Sequence, residues 1–141
     1  MTDQRTQFDT KIVVVLRHDV PTWQQLNATA FLASGVATTA VEAIGEHYAD
    51  ADGTKYAPMF GQPVMVYAAD APRMTRTLDR ALSRGLMPAV FTADLFSTGH
   101  DAANRAAVAS TARANLDLVG LAVRGERKTV DKVVDGLRLY S

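Results

Sequence analysis

Polar side chains of several reactive types are concentrated between residues 94 and 101. Asp94, Thr98 and His100 supply a carboxylate, a hydroxyl and an imidazole within one short segment. A carboxylate can fix the tautomer of an imidazole, and an imidazole with a pKa near neutrality can accept a proton. These three residues are therefore the predicted catalytic groups. The segment also has a structural explanation, because Thr98 and Asp101 have the spacing of a helix cap.

Two side chains that follow in the same segment are predicted to bind a ligand. Asn104 and Arg105 fall in the first turns of an alanine-rich helix that starts at Asp101. An amide can position a substrate, and a guanidinium can hold a phosphate or carboxylate through two hydrogen bonds. The alternative for Arg105 is an ordinary surface salt bridge.

A second group of binding candidates follows the first apolar run of the chain. Asp19, Trp23 and Asn27 lie at or just beyond the carboxyl end of that run. Open α/β sheets place their ligand crevices at such strand ends, and a tryptophan there can stack on a flat ligand or base. In the alternative, Trp23 belongs to the core and Asp19 secures the turn.

The sequence predicts neither a metal site nor a cofactor. Asp50-Ala-Asp-Gly53 is similar to the start of a calcium loop, but it lacks the third acidic position and the distal glutamate. It therefore predicts a turn. His18, His47 and His100 contain no pair spaced i, i+4. The chain has no cysteine, which excludes disulfides, thiolate catalysis and cysteine-ligated zinc.

Length and composition predict one domain over residues 1–141. The chain is 48% hydrophobic and 21% charged, as in ordinary globular proteins. Its polar start is unlike a secretory signal, and residues 1–9 are expected to be flexible. No apolar run approaches the length of a membrane span. A cytoplasmic location without a membrane partner is therefore expected.

The charges are balanced overall but unevenly placed. The formal net charge is zero, which argues against strong nonspecific binding to nucleic acid. Residues 40–70 hold five acids against one base, whereas residues 71–141 hold eleven bases against seven acids. Such asymmetry can orient a second copy of the chain, and a homodimer is expected. One helix carries a row of arginines that predicts a solvated face, with an RNA or partner surface as the alternative: Arg73, Arg76, Arg80 and Arg84.

Apolar patterning predicts four strands that alternate with four helices. Residues 11–17 form a β-branched run, which predicts a strand in the middle of a sheet. Thr22 and Gln25 have the spacing of a capping box, and the helix that they start is expected to end at Gly35. Residues 36–60 predict a hairpin or an irregular excursion. The other predicted elements are strands at 62–69, 86–92 and 116–123, and helices at 70–85, 101–114 and 130–137.

Strands that alternate with helices in one short chain predict a three-layer α/β/α sandwich with crossover connections. The expected central sheet is mixed, mostly parallel and composed of about four strands. No linker, low-complexity tract or internal repeat divides the sequence.

The order of these elements resembles the peptidyl-tRNA hydrolase type II family. Leu16-Arg17-His18-Asp19 is similar to the junction between the first strand and the following loop in those enzymes. Residues 84–98 have the same order of features as those enzymes, namely a Gly-Leu pair, a strand, an acid and a hydroxyl. Residues 119–123 and 129–140 are similar to their C-terminal blocks. The resemblance implies the same fold.

Two motifs are more similar to a bacterial family, the domain of unknown function numbered two thousand, which is placed in the same fold. They are Asp-x-Pro-Thr-Trp-Gln-x-Leu-Asn at 19–27 and Thr-Gly-His-Asp-x-Ala-Asn-Arg-Ala-Ala at 98–107. The hydrolase resemblance implies that Asp94 and Thr98 are the inherited pair. It also implies a lysine in the first helix, where this chain has Gln25-Leu26. Peptidyl-tRNA hydrolysis is therefore not expected.

Two functions from different classes stay open. The first is a hydrolase-like or ligand-processing protein that acts on a small molecule or a nucleotide-linked ligand at the strand ends. The second is a non-catalytic binding or interaction module, in the form of a homodimer, that keeps the fold without the lysine.

Overall fold

The computed structural model describes residues 8–141 as seven strands and four α-helices. The prediction of a flexible segment at 1–9 therefore lies almost entirely outside the described residues. Among those residues, no helix has both the length and the apolar character that a membrane crossing requires. In chain order the elements are β1 (Thr10–Arg17), α1 (Thr22–Thr39), β2 (Tyr48–Ala49), β3 (Lys55–Tyr56), β4 (Val64–Ala69), α2 (Ala71–Ser83), β5 (Ala89–Thr92), α3 (Asp101–Ala109), β6 (Leu118–Glu126), α4 (Arg127–Val133) and β7 (Arg138–Leu139).

β1 lies in the middle of the main sheet, as its residue pattern predicts. Ile12 to Leu16 are all buried, because helices cover both faces of the strand. A strand in that position has a continuous apolar sequence instead of an alternating one. The order of the five strands is β5-β6-β1-β4-β7.

The sheet is mixed, but only one of its four adjacent pairings is parallel. β1 runs parallel to β4, whereas β6 pairs antiparallel with β1 and β5, and β7 pairs antiparallel with β4. The prediction of a mixed sheet is therefore confirmed, but the sheet is mostly antiparallel instead of mostly parallel, and it has five strands where about four were expected. Alternating elements predict crossovers, but they do not reveal that β6 inserts between β5 and β1.

Helices pack on both faces of the sheet and confirm the three-layer α/β/α architecture. α1 covers one face, and α2 and α4 cover the other. On the α1 face the buried side chains include Val14, Leu16, Ala28, Leu32, Val36 and Phe91. On the opposite face they include Val13, Val15, Met74, Leu78, Val130 and Val133.

α1 begins at Thr22 as predicted, but its cap and its end differ from the prediction. Pro21 precedes the helix, and no side-chain hydrogen bond caps it, so Thr22 and Gln25 do not form a capping box. The helix continues beyond Gly35 to Thr39. A Cβ atom at Gly35 would lie 2.7 Å from the Cβ of Ala89. This glycine therefore allows α1 to lie close against β5 instead of ending the helix.

α2 agrees with its prediction at both ends, whereas α3 and α4 end earlier than the sequence predicts. Asp70 caps α2, and Gly85 follows it with a φ of 75°, both as predicted. α3 ends at Ala109 instead of residue 114, and α4 ends at Val133. Gly136 then has a φ of 84° and leads the chain into β7, a strand too short for its pattern to be recognised.

The predicted hairpin is present within residues 36–60. β2 and β3 pair with Tyr48 opposite Tyr56. Asp50 closes the turn, because its carboxylate accepts hydrogen bonds from the backbone N–H groups of Asp52 and Thr54 at 3.0 and 2.9 Å. Every residue from 45 to 57 is exposed. We call residues 45–57 the β-arm.

Candidate functional site

The carboxyl ends of β1 and β4 form a topological switch point. These strands are parallel neighbours, and the chain leaves β1 into α1 on one face but leaves β4 into α2 on the other. Helices that diverge in this way open a crevice between them, and open α/β sheets bind ligands there. The fold itself therefore provides a place for a site.

A cleft of about 460 Å³ occupies this position, and we call it the switch-point cleft. Its walls come from the β1–α1 junction, the β4–α2 junction and residues 136–141. Its volume is in the range of small-molecule sites. The polar side chains that line it belong to His18, Gln25, Asp70, Arg73, Arg138, Tyr140 and Ser141.

His18 and Asp70 follow the two parallel strands directly. The backbone N–H of His18 donates to the carbonyl of Ala69 at 3.1 Å and extends the β1–β4 pairing. The imidazole of His18 is exposed and makes no hydrogen bond to any residue between 8 and 141. The pKa of Asp70 is lowered, chiefly because its carboxylate accepts the backbone N–H of Arg73 and also because the charges of Arg73 and His18 are near. Asp70 is therefore ionised at neutral pH.

Two guanidinium groups are among the charged side chains that line the cleft. Arg73 forms an ion pair with Asp70. Arg138 lies in β7, whose backbone pairing with Ala68 fixes its position at the cleft wall. Within residues 8–141 its exposed side chain makes neither a hydrogen bond nor an ion pair. Asp70 contributes the only carboxylate side chain among the lining residues that the structure describes. Two guanidinium side chains against one carboxylate side chain favour an anionic ligand.

Gln25 holds residues 136–141 at the cleft through a hydrogen bond to Tyr140. Its side chain is only 4% exposed. The amide nitrogen donates to the carbonyl of Arg17 at 2.9 Å, and the amide oxygen accepts the hydroxyl of Tyr140. The backbone N–H of Tyr140 also donates to the carbonyl of Val66 at 2.9 Å. Together these bonds hold residues 136–141 as one wall of the cleft.

Asp19 lies beside the cleft in a structural ion pair. Its carboxylate accepts a hydrogen bond from Nε of Arg17 at 2.9 Å, which is the main reason that the pKa of Asp19 is lowered. Arg17 also pairs with Asp117, just before β6. These contacts support the alternative in which Asp19 secures the turn after β1.

Trp23 and Asn27 lie on the exposed side of α1. Trp23 is 60% exposed, so it is not a core residue. Its ring meets that of Phe96 edge-on, with 5.3 Å between the centroids. Asn27 is exposed one turn later and makes no side-chain hydrogen bond within residues 8–141. Neither residue lines the switch-point cleft.

The polar segment after β5 is arranged around the start of α3. Asp94 lies exposed in the short 3-10 helix at Ala93–Ser97. His100 caps α3, because its Nδ1 accepts the backbone N–H of Ala103 at 3.2 Å. The cap is thus His100, and the prediction of a cap at Thr98 is wrong. Thr98 instead donates its hydroxyl to the carbonyl of Leu95 at 3.0 Å.

Asn104 and Arg105 line a second cleft of about 450 Å³ between α1, β5 and α3. Asn104 hydrogen-bonds Thr98, and Arg105 forms an exposed ion pair with Asp101, as the salt-bridge alternative predicts. The rest of this apolar groove is made mainly of Phe31, Leu32, Ala89, Val90, Phe91, Leu95 and Val108.

The family model for DUF2000, described as a protein of unknown function, matches residues 10–141. The chain belongs to the DUF2000 family. Its structure is similar to that of a protein of unknown function from Agrobacterium tumefaciens strain C58, with 41% identity and a TM-score of 0.93. That comparison covers 96% of this chain and 100% of the other. No curated protein matches. The predicted family is therefore confirmed, while the hydrolase type II likeness stays a prediction.

The structure of this DUF2000 protein separates the predicted site residues. Asn104 and Arg105 share the apolar groove, whereas Asp19 is held by Arg17. No hydrogen bond links Asp94 to His100 within residues 8–141. In the same part of the chain, no three His, Asp or Glu side chains are grouped so that they could hold a metal ion.

Sequence reasoning missed most of the residues that line the switch-point cleft. Arg73 was indistinguishable from the other arginines of α2, and Gln25 fitted a capping motif. Arg138 and Tyr140 lie beyond the predicted helix at 130–137, where the sequence predicted no further strand. The signal available was Gly136, after which Leu137 to Tyr140 alternate between apolar and polar types as in a strand.

Proposed function

We propose that this protein binds a small anionic molecule in the switch-point cleft, through a carboxylate or a phosphate group held by Arg73 and Arg138. The observation that carries the proposal is the position of Arg138. Arg138 lines a crevice that the fold opens, and its side chain has no partner within residues 8–141. A nucleotide-linked ligand would present its phosphate to the same groups.

The backbone of Arg138 and the side chain of Arg73 are held before a ligand arrives. β7 fixes the backbone of Arg138 against β4, and the pair with Asp70 orients Arg73. Binding to groups that are already positioned loses less conformational freedom. The N-terminus of α2 is not part of the proposal, because Asp70 already accepts the N–H of Arg73 there.

The test uses the whole protein and three probes: inorganic phosphate, succinate and adenosine monophosphate. Binding is measured by the rise in melting temperature and by backbone amide chemical shifts. We expect at least one probe to bind and to shift the amides of His18, Arg73 and Arg138. The probe that binds best distinguishes a carboxylate ligand from a phosphate ligand.

Variants then assign the binding to the cleft. Arg138→Gln and Arg73→Gln should each weaken binding roughly 10-fold to 100-fold, because each removes a charge-assisted hydrogen bond. Arg113→Gln removes an exposed arginine outside the cleft and should leave binding unchanged. Absence of binding by all three probes, or equal binding by Arg138→Gln and the wild type, would overturn the proposal.

A hydrolytic activity at the same cleft is the second candidate, and His18 favours it. Its exposed imidazole makes no side-chain hydrogen bond within residues 8–141, and it stands beside the carboxylate of Asp70. An imidazole near a bound anion can act as a general base toward water. His18→Gln should then bind the probe as the wild type does but lose turnover of an ester of that probe. Full turnover by His18→Gln would exclude this role.

The acid–base roles predicted for Asp94 and His100 stay predictions. Because Nδ1 of His100 accepts the hydrogen bond that caps α3, Nε2 carries the ring N–H and can donate a hydrogen bond to a substrate. If Asp94→Ala and His100→Ala both leave turnover of an identified substrate unchanged, that assignment is wrong.

A further inference from the structure

The β-arm is an ordered surface feature that the proposed function does not use. All of its residues are exposed, including Tyr48 and Tyr56, which face each other across the hairpin and are 52% and 51% exposed. An isolated two-stranded hairpin is marginally stable in water. Exposed tyrosines are enriched at protein interfaces. An arm of this kind therefore suits contact with a partner.

The β-arm carries negative charge that is not neutralised by the rest of the molecule. It contains three acids against one lysine. Asp50 is occupied in the turn, where it also accepts the hydroxyl of Tyr56 at 2.7 Å. Glu46 and Asp52 form no ion pair within residues 8–141. Two carboxylates are thus free to meet cations of a partner.

The matching positive surface lies on α2. Arg76, Arg80 and Arg84 form what we call the arginine face. Arg80 donates to the backbone carbonyl of Asp135 at 2.9 Å, and Arg84 donates to the carbonyl of Arg80 at 3.2 Å. Neither forms an ion pair with a carboxylate within residues 8–141. Arg76 is exposed and has no ion pair in the part of the chain that the structure describes. Guanidinium groups also stack on tyrosine rings.

The two surfaces of one molecule lie on opposite faces of the sheet. Ala43 and Phe60, at the base of the β-arm, belong to the core beneath α1, whereas α2 packs on the other face. No ion pair joins the β-arm to the arginine face within residues 8–141. The β-arm of one molecule can therefore contact an arginine face only in a second molecule.

We propose that the β-arm of one copy of this chain lies on the arginine face of a second copy, and that the reciprocal contact completes a two-fold dimer. The charge complementarity of the two surfaces selects a second copy as the occupant. In a two-fold dimer the same pair of surfaces meets twice. The proposed contact does not use Arg73 or Arg138.

The test is sedimentation velocity of the full chain with two charge-reversal variants. The arm variant carries Glu46→Lys and Asp52→Lys, and the helix variant carries Arg76→Glu and Arg84→Glu. We expect the wild type to dimerise and each variant to dissociate, with affinity reduced on the order of tenfold or more. An equimolar mixture should dimerise again, because each variant then offers the surface that its partner matches. Lys128→Glu reverses an exposed charge in α4, outside both surfaces, and should dimerise as the wild type does.

Each alternative result overturns the proposal. A monomeric wild type excludes the dimer, dimeric single variants place the interface elsewhere, and a monomeric mixture excludes the pairing of these two surfaces. All substituted side chains are exposed or at the surface, and circular dichroism confirms that the variants are folded. Phosphate binding at the switch-point cleft is measured on the same samples, so its failure is distinguishable from failure of the dimer.

Discussion

Replacing Thr92 by valine should make the protein more stable. Thr92 ends β5, is 1% exposed, and its hydroxyl has no hydrogen-bond partner in the part of the chain that the structure describes. A buried hydroxyl without a partner costs about 1–3 kcal/mol. Valine has nearly the same shape and the same branching at Cβ, so it removes the hydroxyl without leaving a cavity. We expect a gain of about 1 kcal/mol or more in the free energy of unfolding.

The assay is unfolding by guanidinium chloride, with thermal unfolding as a second measure. The midpoint should rise without a change in the slope, and the melting temperature should rise by roughly 3 °C for a chain of this size. Thr77→Val is the matched control, because Thr77 is also fully buried but donates its hydroxyl to the carbonyl of Arg73 at 2.7 Å. That variant should lose about 1 kcal/mol. A Thr92→Val protein that is less stable than the wild type would refute the reasoning, since the hydroxyl would then have a partner.

Three further predictions concern packing, pH and the cleft wall. Gly35→Ala should lower the free energy of unfolding by about 1–3 kcal/mol, because the clash of the added Cβ with Ala89 outweighs the better helix propensity of alanine. The control Ser34→Ala should change the free energy of unfolding by no more than about 0.5 kcal/mol. Asp70→Asn removes a carboxylate whose pKa is lowered, so its charge stabilises the fold above its ordinary pKa of 3.8 and loses this effect as the pH falls through the folded value. The stability difference between wild type and Asp70→Asn, measured from neutral pH into acid, should therefore shrink, and a constant difference would contradict it. Tyr140→Phe should cost about 1–2 kcal/mol, because the buried Gln25 carbonyl loses its donor, whereas Tyr48→Phe should be neutral in the same unfolding assay.

The sequence predicted the layers of the fold better than the order of its strands. Burial on both faces of β1 and the cap at Asp70 follow from local patterns, and both are confirmed. The position of β6 depends on pairing between distant segments, and its apolar run is compatible with several neighbours. Gly35 was assigned to a helix end because a local pattern cannot reveal that Ala89 packs against it.

The candidate site was predictable in its place but not in its residues. The carboxyl end of β1 was identified from the general behaviour of α/β sheets. The lining residues come from three segments that meet only in the folded chain, and Arg138 belongs to a two-residue strand. The reactive types between 94 and 101 were conspicuous because they are adjacent in sequence. In the structure His100 caps α3 and Thr98 bonds to Leu95, so part of that cluster is needed for the local backbone.

The insertion of β6 beside β1 has a consequence for how the chain folds during synthesis. β1 can pair with β4 as soon as the first half of the chain has left the ribosome. Its pairing with β6 forms only later, because Thr10 lies opposite Glu126 and Leu16 lies opposite Gly120. Until then one edge of the most apolar strand has no neighbour, and such edges promote aggregation. Pairings between distant segments also form slowly. The core of this protein therefore closes late, and nascent chains that stall before residue 118 should be the ones that depend most on chaperones.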